Sequence, residues 1–137
     1  MKLGYPFKLE PNGMGGFIVQ FVDLEEAFTE GATLEECLFN AQEVLTGILE
    51  QRIEDEEEIP LPSKGRYKYR AIPDARVQAA LLIKFNRIGQ SLADLARSMG
   101  AAWPVVQRLE NPKHSPTVKQ LERAAAAMGK RLVLDFE

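Results

Sequence analysis

The sequence predicts an α+β protein: an antiparallel β-sheet with one helix, followed by a mainly helical domain with a short terminal strand. Tyr5 to Leu9 and Phe17 to Phe21 alternate between apolar and polar residues with a period of two, which is typical of strands. Four segments after Pro73 have apolar residues at helical spacing and end in glycine, asparagine or proline. The 137 residues suffice for one ordinary domain or two small ones.

The first half combines a hairpin, a third strand and a helix. Turn residues between 11 and 16 join the first two strands, and a short strand is predicted over 27–30. Thr33 and Glu36 fit a capping box that opens a helix over 34 to about 52. The apolar stripe predicted for this helix contains Leu34, Cys37, Leu38, Ala41, Leu45 and Ile48.

A change in charge accompanies the predicted boundary between two domains, 1–63 and 64–137. The acidic run 54–58 stays solvated, and Pro60 and Pro62 prevent a helix from continuing. Residues 1–64 carry four basic and fourteen acidic side chains, a net charge of −10, whereas residues 65–137 carry thirteen and six, a net charge of +7. This asymmetry predicts a basic protein partner for the first half and a polyanion for the second. The alternative is a fusion of acidic and basic domains that serves solubility alone.

The second half contains a helix-turn-helix pattern. Predicted elements are a strand over 66–70, helices over 74–87, 92–99, 103–110 and 117–128, and a terminal strand over 132–136. Ser91 and Asp94 form a capping signal, Gly100 permits the turn, and Val106 packs back onto the preceding helix. The outer face of 103–108 is then free to enter a major groove of DNA.

The same stretch resembles phage-repressor-like (Xre-type) DNA-binding domains over about residues 78–129. The resemblance is carried by Leu95-Ala96, Gly100, Val106, Arg108-Leu109-Glu110-Asn111, Leu121, Ala124-Ala125 and Met128-Gly129. The residues predicted to contact DNA are Ser91, Trp103, Pro104, Gln107, Arg108, Lys113 and Lys119. Gln107 is suited to a bidentate contact with adenine, and Arg108, Lys113 and Lys119 to phosphates.

Three features of this stretch leave alternatives open. Ala102 stands where the family usually has a capping Ser or Thr, and Pro104 compensates in part. Trp103 either contacts DNA or packs inward as a structural residue. Arg108 either holds a phosphate or pairs with Glu110 or Glu122.

The first half resembles the HicB antitoxins. The resemblance is carried by Tyr5-Pro6, Leu9-Glu10-Pro11, Gly15-Gly16-Phe17, Val19 to Leu24, Ala27 to Gly31, Thr33 to Glu36 and Ile59 to Ser63. It implies a truncated RNase H-like domain without nuclease activity that covers the active site of a HicA-type toxin, a small basic protein that cleaves mRNA. It also implies that the second domain dimerises and represses the shared operon by binding operator DNA.

The acidic residues proposed for toxin contact are Asp23, Glu25, Glu26 and Glu30, which lie on predicted loops and strand ends. The alternative for each is an ordinary solvated surface. A homodimer or higher even oligomer is expected because operators of this kind are usually palindromic, and the strand over 132–136 is a candidate to pair across it.

Several other activities are disfavoured. The strand interiors lack carboxylates for a two-metal nuclease, and the single histidine, His114, lies in a loop, so no catalytic or metal residues and no cofactor are expected. Cys37 lies on the apolar stripe and is interpreted as core. No apolar run approaches the ~20 residues of a membrane helix, and Met1 to Phe7 lack a signal-peptide pattern, so a cytoplasmic protein is expected.

Two other functions remain open at this stage. One is a transcriptional repressor whose acidic domain senses a small molecule and has no toxin partner. The other is an RNase H-like nuclease fused to a DNA-targeting module.

Overall fold

The computed structural model describes residues 1–137 and divides into two compact units, Met1–Gln78 and Ala79–Glu137. Residues 64–78 follow the boundary predicted from sequence, yet they lie in the first unit. The reason is a strand, Tyr69–Ala71, that pairs with the first strand of the sheet. The strand predicted over 66–70 is therefore shorter and begins later than expected.

The first unit is an antiparallel sheet with one long helix. Its elements are β1 (Tyr5–Pro11), β2 (Phe17–Phe21), β3 (Phe28–Gly31), α1 (Leu34–Glu54) and β4 (Tyr69–Ala71). The strand order is β3-β2-β1-β4, and every neighbouring pair is antiparallel. The helix α2 (Ala75–Asn86) begins in this unit and continues into the second.

The loop between β1 and β2 confirms the predicted turn. The side chain of Asn12 accepts hydrogen bonds from the backbone N–H groups of Met14 (2.8 Å) and Gly16 (3.0 Å). Gly13 and Gly15 have φ values of 79° and 86°, a region that glycine adopts without a Cβ clash. The turn sets the register that places Phe7 opposite Phe21 and Leu9 opposite Val19.

One face of the sheet is buried against α1. Tyr5, Phe7, Val19 and Phe21 are buried on this face, as period-two alternation predicts. From the helix, the buried side chains are Cys37, Ala41, Leu45, Thr46 and Leu49. The rings of Phe7 and Phe21 lie 5.4 Å apart between centroids. These contacts form the core of the first unit.

The cap of α1 is simpler than predicted. The backbone N–H of Glu36 donates to the Thr33 hydroxyl at 3.1 Å, which confirms Thr33 as the N-cap. The reciprocal hydrogen bond from the Thr33 backbone to the Glu36 carboxylate is not formed, so the prediction of a full capping box is wrong. The helix ends at Glu54, and Glu56 follows with a φ of 55°.

The proline-containing segment after α1 is tied back to the sheet. The buried Tyr5 hydroxyl donates to the Pro60 carbonyl at 2.6 Å. Burial, followed by the negative charge of Asp23, raises the pKa of Tyr5, so the phenol keeps the proton that it donates. The carboxylate of Asp23 accepts hydrogen bonds from both the backbone N–H and the hydroxyl of Ser63. Residues 54–58 are exposed, but the segment that follows them is held in place.

The second unit consists of short helices: the end of α2, α3 (Leu92–Met99), α4 (Trp103–Leu109) and α5 (Val118–Ala127). Ser91 and Asp94 form the predicted capping box of α3, and Gly100 ends that helix with a left-handed φ of 63°. Thr117 and Gln120 form a second box that opens α5. Their shared core contains Ile83, Leu95, Ala96, Met99, Val106, Leu109 and Ala124.

The terminal strand predicted over 132–136 is wrong. Residues 130–137 have no regular secondary structure, and Val133, Leu134 and Phe136 are exposed. The alternating pattern favours an extended chain, but an isolated strand has no partner for its backbone hydrogen bonds. The second unit contains no strand that offers one.

Gly31 is a position at which any side chain is expected to destabilise the first unit. A Cβ there lies 2.9 Å from both the amide nitrogen and Sγ of Cys37. We expect Gly31→Ala to lower the free energy of unfolding by about 1–3 kcal/mol through overpacking. The matched control is Gly47→Ala on α1, where the Cβ meets open space and better helix propensity adds about 0.5–1 kcal/mol. Urea titration followed by circular dichroism measures both, and equal shifts would contradict the packing argument.

An ion pair between Arg87, which follows α2, and Glu110, which follows α4, connects the ends of these two helices. The Arg87 guanidinium donates two hydrogen bonds to the Glu110 carboxylate, with the Nη2–Oε1 distance at 3.1 Å, and a third from Nη1 to the Gln90 carbonyl. Hydrogen bonding to Glu110 raises the pKa of Arg87. The two side chains are mostly buried. A charge-assisted, bidentate pair of this kind fixes orientation as well as adding stability.

We expect Glu110→Gln to lower the free energy of unfolding of the second unit by about 1–2 kcal/mol, because one strong acceptor is lost. Arg97→Gln breaks the exposed ion pair between Arg97 and Asp94. We expect this variant to change the free energy of unfolding by no more than about 0.5 kcal/mol. Fluorescence of Trp103, the single tryptophan, during urea unfolding distinguishes the two. Equal effects would show that the Arg87–Glu110 pair contributes no more than a surface pair.

Candidate functional site

Two of the four acidic residues predicted to contact a toxin are used inside the first unit. Glu26 binds Arg52 through two hydrogen bonds of 2.8 Å, and these hold the pKa of Glu26 below its ordinary value. The Asp23 carboxylate accepts hydrogen bonds from the backbone N–H and the hydroxyl of Ser63. Their internal bonds make Asp23 and Glu26 weaker candidates for contact with another protein.

The other two carboxylates face solvent. Glu25 lies in the turn before β3, and Glu30 lies on β3 itself, which is the edge strand of the sheet. The backbone carbonyl of Glu30 accepts a hydrogen bond from the Asn40 side chain at 2.9 Å, which anchors the edge strand to α1. The Glu30 side chain therefore projects from a fixed backbone.

Glu30 belongs to a solvent-exposed sheet surface that lies opposite α1, here called the open face. In the strand register, Ile18 lies between Glu10 and Glu30, and Gln20 lies between Lys8 and Phe28. Phe28 is 60% exposed and Ile18 is 40% exposed. The open face therefore combines two apolar side chains with the carboxylates of Glu10 and Glu30 and one cation, Lys8.

Ile18 and Phe28 were not predicted as candidate contact residues. A signal was present for Ile18, since it is out of phase with the buried positions of β2. Phe28 was harder to place because the predicted third strand started one residue early and had no clear alternation.

The start of α1 exposes a second apolar group. Leu34 and Leu38, predicted to lie on the buried stripe, are each 44% exposed, and Phe39 is 66% exposed. The prediction was wrong for these two leucines because no element of the first unit covers the outer side of the first two turns. Glu35 and Glu36 lie beside them and add negative charge.

The second unit brings four of the seven predicted DNA-contact residues onto one exposed face of α4. Val106 and Leu109 are buried and hold the helix against the core, whereas Trp103, Pro104, Gln107 and Arg108 face solvent. Trp103 is 46% exposed, so it does not pack inward. Arg108 does not pair with Glu110, because Arg87 occupies that carboxylate.

The remaining three residues lie on neighbouring elements. The Ser91 hydroxyl serves as the cap of α3. Lys113 is exposed in the loop before α5, where its backbone N–H donates to the Asn111 side chain at 3.0 Å, and Lys119 is exposed in the first turn of α5. A cavity of about 220 Å³ is lined by Arg108, His114 and Gln120 among others. His114 lies in the exposed loop, as predicted.

The start of α4 lacks a side-chain cap. Ala102 occupies the N-cap position and makes no side-chain hydrogen bond, and Pro104 stands in the first turn. The helix has only seven residues, so its own hydrogen bonds contribute little stability. Its position depends on the buried side chains and on the Arg87–Glu110 pair.

The charges follow the two units. Residues 1–78 carry eight basic and fifteen acidic side chains, a net charge of −7, and residues 79–137 carry nine and five, a net charge of +4. The two parts of the chain therefore still have opposite net charge when the chain is divided after Gln78, as in the structure. The unit that carries the open face is therefore net negative, and the unit that carries α4 is net positive.

No group of three or more His, Cys, Asp or Glu side chains is arranged to hold a metal ion. Cys37 is buried, and burial raises the pKa of its thiol, as befits a core position. None of the helices combines the length and apolar character that crossing a membrane requires.

Comparisons with known proteins agree with the resemblance found in the sequence. Residues 4–73 match the family model described as HicB-like antitoxin of bacterial toxin–antitoxin systems. Antitoxin HicB 1 of Photorhabdus laumondii is 34% identical over 134 residues, which cover 97% of this chain and 86% of that protein. Antitoxin HicB of Escherichia coli K12 is 34% identical, with 95% and 96% covered. The chain therefore belongs to the HicB-like antitoxin family.

Proposed function

We propose that this antitoxin binds and blocks a HicA-type mRNA interferase toxin, and that it represses its own operon by binding operator DNA. The observation that carries the proposal is the presence of two exposed contact surfaces in two units of opposite net charge. The open face lies in the unit with a net charge of −7, and the exposed side of α4 lies in the unit with a net charge of +4. Each surface has the chemistry that one of the two partners requires.

The first unit is the toxin-neutralising half. We infer that it is a truncated RNase H-like domain, which its three antiparallel strands followed by a long helix support. A toxin that grips RNA must present positive charge to phosphates, so an acidic surface competes for the same region. Ile18 and Phe28 supply apolar anchors, and Glu10 and Glu30 supply charge at their margin.

The second unit is the DNA-binding half, with α3 and α4 as a helix-turn-helix. The turn over 100–102 is short, and Gly100 takes the left-handed conformation that the turn requires. Gln107 and Arg108 project from the exposed side of α4, where a helix that enters the major groove needs its contact residues. Lys113 and Lys119 are placed to hold phosphates.

The protein acts by binding, without catalysis. The interior positions of β1 and β2 carry aromatic and aliphatic side chains in place of converging carboxylates. The sole histidine is on the DNA-binding unit. A homodimer, or a higher even oligomer, presents two copies of α4 to a palindromic operator.

We expect Glu30→Lys to weaken binding of the HicA-type toxin about tenfold, because a carboxylate at the interface becomes a like charge facing a basic partner. The measurement is calorimetric titration of the full-length protein with the toxin, supported by inhibition of toxin-catalysed RNA cleavage. Glu122→Lys makes the same charge change on exposed α5 and serves as the control. Equal weakening by both variants would move the contact away from the open face.

We expect Gln107→Ala to weaken operator binding about 5- to 100-fold and to relax base preference, because a base contact is lost. Arg108→Ala is expected to weaken binding to all sequences and to reduce the salt dependence by about one phosphate contact. Gel-shift titrations of the DNA upstream of the gene, at several salt concentrations, measure both effects.

Arg66→Ala is the matched control for Arg108→Ala, since it removes the same charge from an exposed position in the first unit. Both α4 variants should retain toxin binding. Loss of operator affinity in Arg66→Ala equal to that in Arg108→Ala would mean that total charge, and not α4, governs DNA binding.

A further inference from the structure

The strand β3 lies at one end of the sheet, so one of its two long edges has no neighbouring strand. On the side of β2, the backbone N–H of Phe21 donates to the Ala27 carbonyl at 3.0 Å. Hydrogen-bonded pairs of an antiparallel ladder recur at every second residue, so Thr29 also directs its backbone groups toward β2. The backbone groups of Phe28 and Glu30 therefore point away from β2.

A hydrogen bond from α1 confirms this direction and leaves three outward groups unpaired. The Asn40 side chain donates to the Glu30 carbonyl at 2.9 Å. The N–H and the carbonyl of Phe28 and the N–H of Glu30 have no hydrogen-bond partner in the chain. Residues 28–30 are here called the outer edge of β3. Unpaired main-chain groups along such an edge form a template on which another strand can pair.

The side chains of the outer edge select the kind of strand that fits. Phe28 is 60% exposed, Glu30 is exposed, and both lie on the open face. Residues directly opposite in a ladder have Cβ atoms about 5 Å apart, so their side chains interact. An added strand therefore needs an apolar residue opposite Phe28 and a cation opposite Glu30, two positions apart on the same face.

We propose that the HicA-type toxin binds by adding an extended segment to the outer edge of β3 as a fifth strand. The inference rests on the proposed function and deepens it, since it assigns main-chain contacts to the toxin interface. The toxin segment accepts hydrogen bonds from the N–H groups of Phe28 and Glu30 and donates one to the Phe28 carbonyl. In this mode of recognition, main-chain hydrogen bonds supply affinity and side chains supply specificity.

A second copy of this chain is a poorer occupant of the outer edge. The first unit has a net charge of −7, so two copies that approach through it repel each other. Antiparallel pairing centred on Thr29 would also place Phe28 of each copy opposite Glu30 of the other, which sets a carboxylate against an aromatic ring. A basic toxin is attracted to this unit and supplies the cation that Glu30 needs.

The first test is amide hydrogen exchange, measured by NMR for each residue of the full-length antitoxin, alone and saturated with the toxin. The amide protons of Phe28 and Glu30 should exchange at least about tenfold more slowly in the complex, because each gains a hydrogen bond. The amide proton of Thr29 is the internal control, since its bond to β2 protects it in both states. Calorimetry on the same samples measures toxin binding.

The second test compares Glu30→Pro with Glu30→Val. Both variants remove the carboxylate, but only proline removes the outward N–H, and proline is tolerated on an edge where that group faces solvent. Glu30→Pro should weaken toxin binding about 5- to 10-fold more than Glu30→Val does, as expected for the loss of one hydrogen bond. Thermal melting of both variants checks that the fold is kept. The exchange measurement uses the original protein, so it decides the question even if Glu30→Pro unfolds.

The outcomes separate this inference from the proposed function. A complex in which the Phe28 and Glu30 amides still exchange freely overturns strand addition while leaving toxin neutralisation intact. Protection of these amides with equal binding by the folded proline and valine variants also overturns it, because the toxin then covers the edge without accepting its hydrogen bonds. Protection that rises with antitoxin concentration alone would assign the edge to a second copy. Failure to bind the toxin at all contradicts the proposed function and the inference together.

Discussion

The burial of one sheet face under α1 is the constraint on which the rest of the first unit depends. Because side chains alternate along a strand, burying Phe7, Val19 and Phe21 obliges their neighbours to face solvent. The register then places Ile18 between two carboxylates. A slip of one residue would move the core to water and the charges into the core, so the core and the open face are fixed by the same pairing.

Local sequence signals predicted much of this architecture. Contacts between residues that are far apart in the chain could not be predicted from such signals. The turn at Asn12, the cap at Thr33 and the ending at Gly100 were predicted because each depends on neighbours a few residues away. The position of β4 depends on pairing with β1, more than fifty residues earlier in the chain. The internal use of Asp23 is equally remote, since its partner Ser63 lies beyond α1.

The same distinction explains why solvent exposure was predictable for α4 and not for the acidic residues of the first unit. Gln107 and Arg108 face solvent because their helix neighbours Val106 and Leu109 are buried, and helical periodicity alone conveys that. The acidic residues of the first unit offered no comparable periodicity. Their composition indicated the sign of the partner's charge, but only the packed structure separates Glu26, bound to Arg52, from Glu30, which is exposed.

The two units also differ in how they hold their proposed contact residues. The open face lies on a hydrogen-bonded sheet, whereas α4 has seven residues and no side-chain cap. Base contacts require a helix placed to within a fraction of a hydrogen-bond length, so α4 needs external support. Val106 and Leu109 fix its depth, and the Arg87–Glu110 pair fixes its last turn. Because this support uses none of the exposed side chains, Trp103, Gln107 and Arg108 can be substituted without loss of the fold.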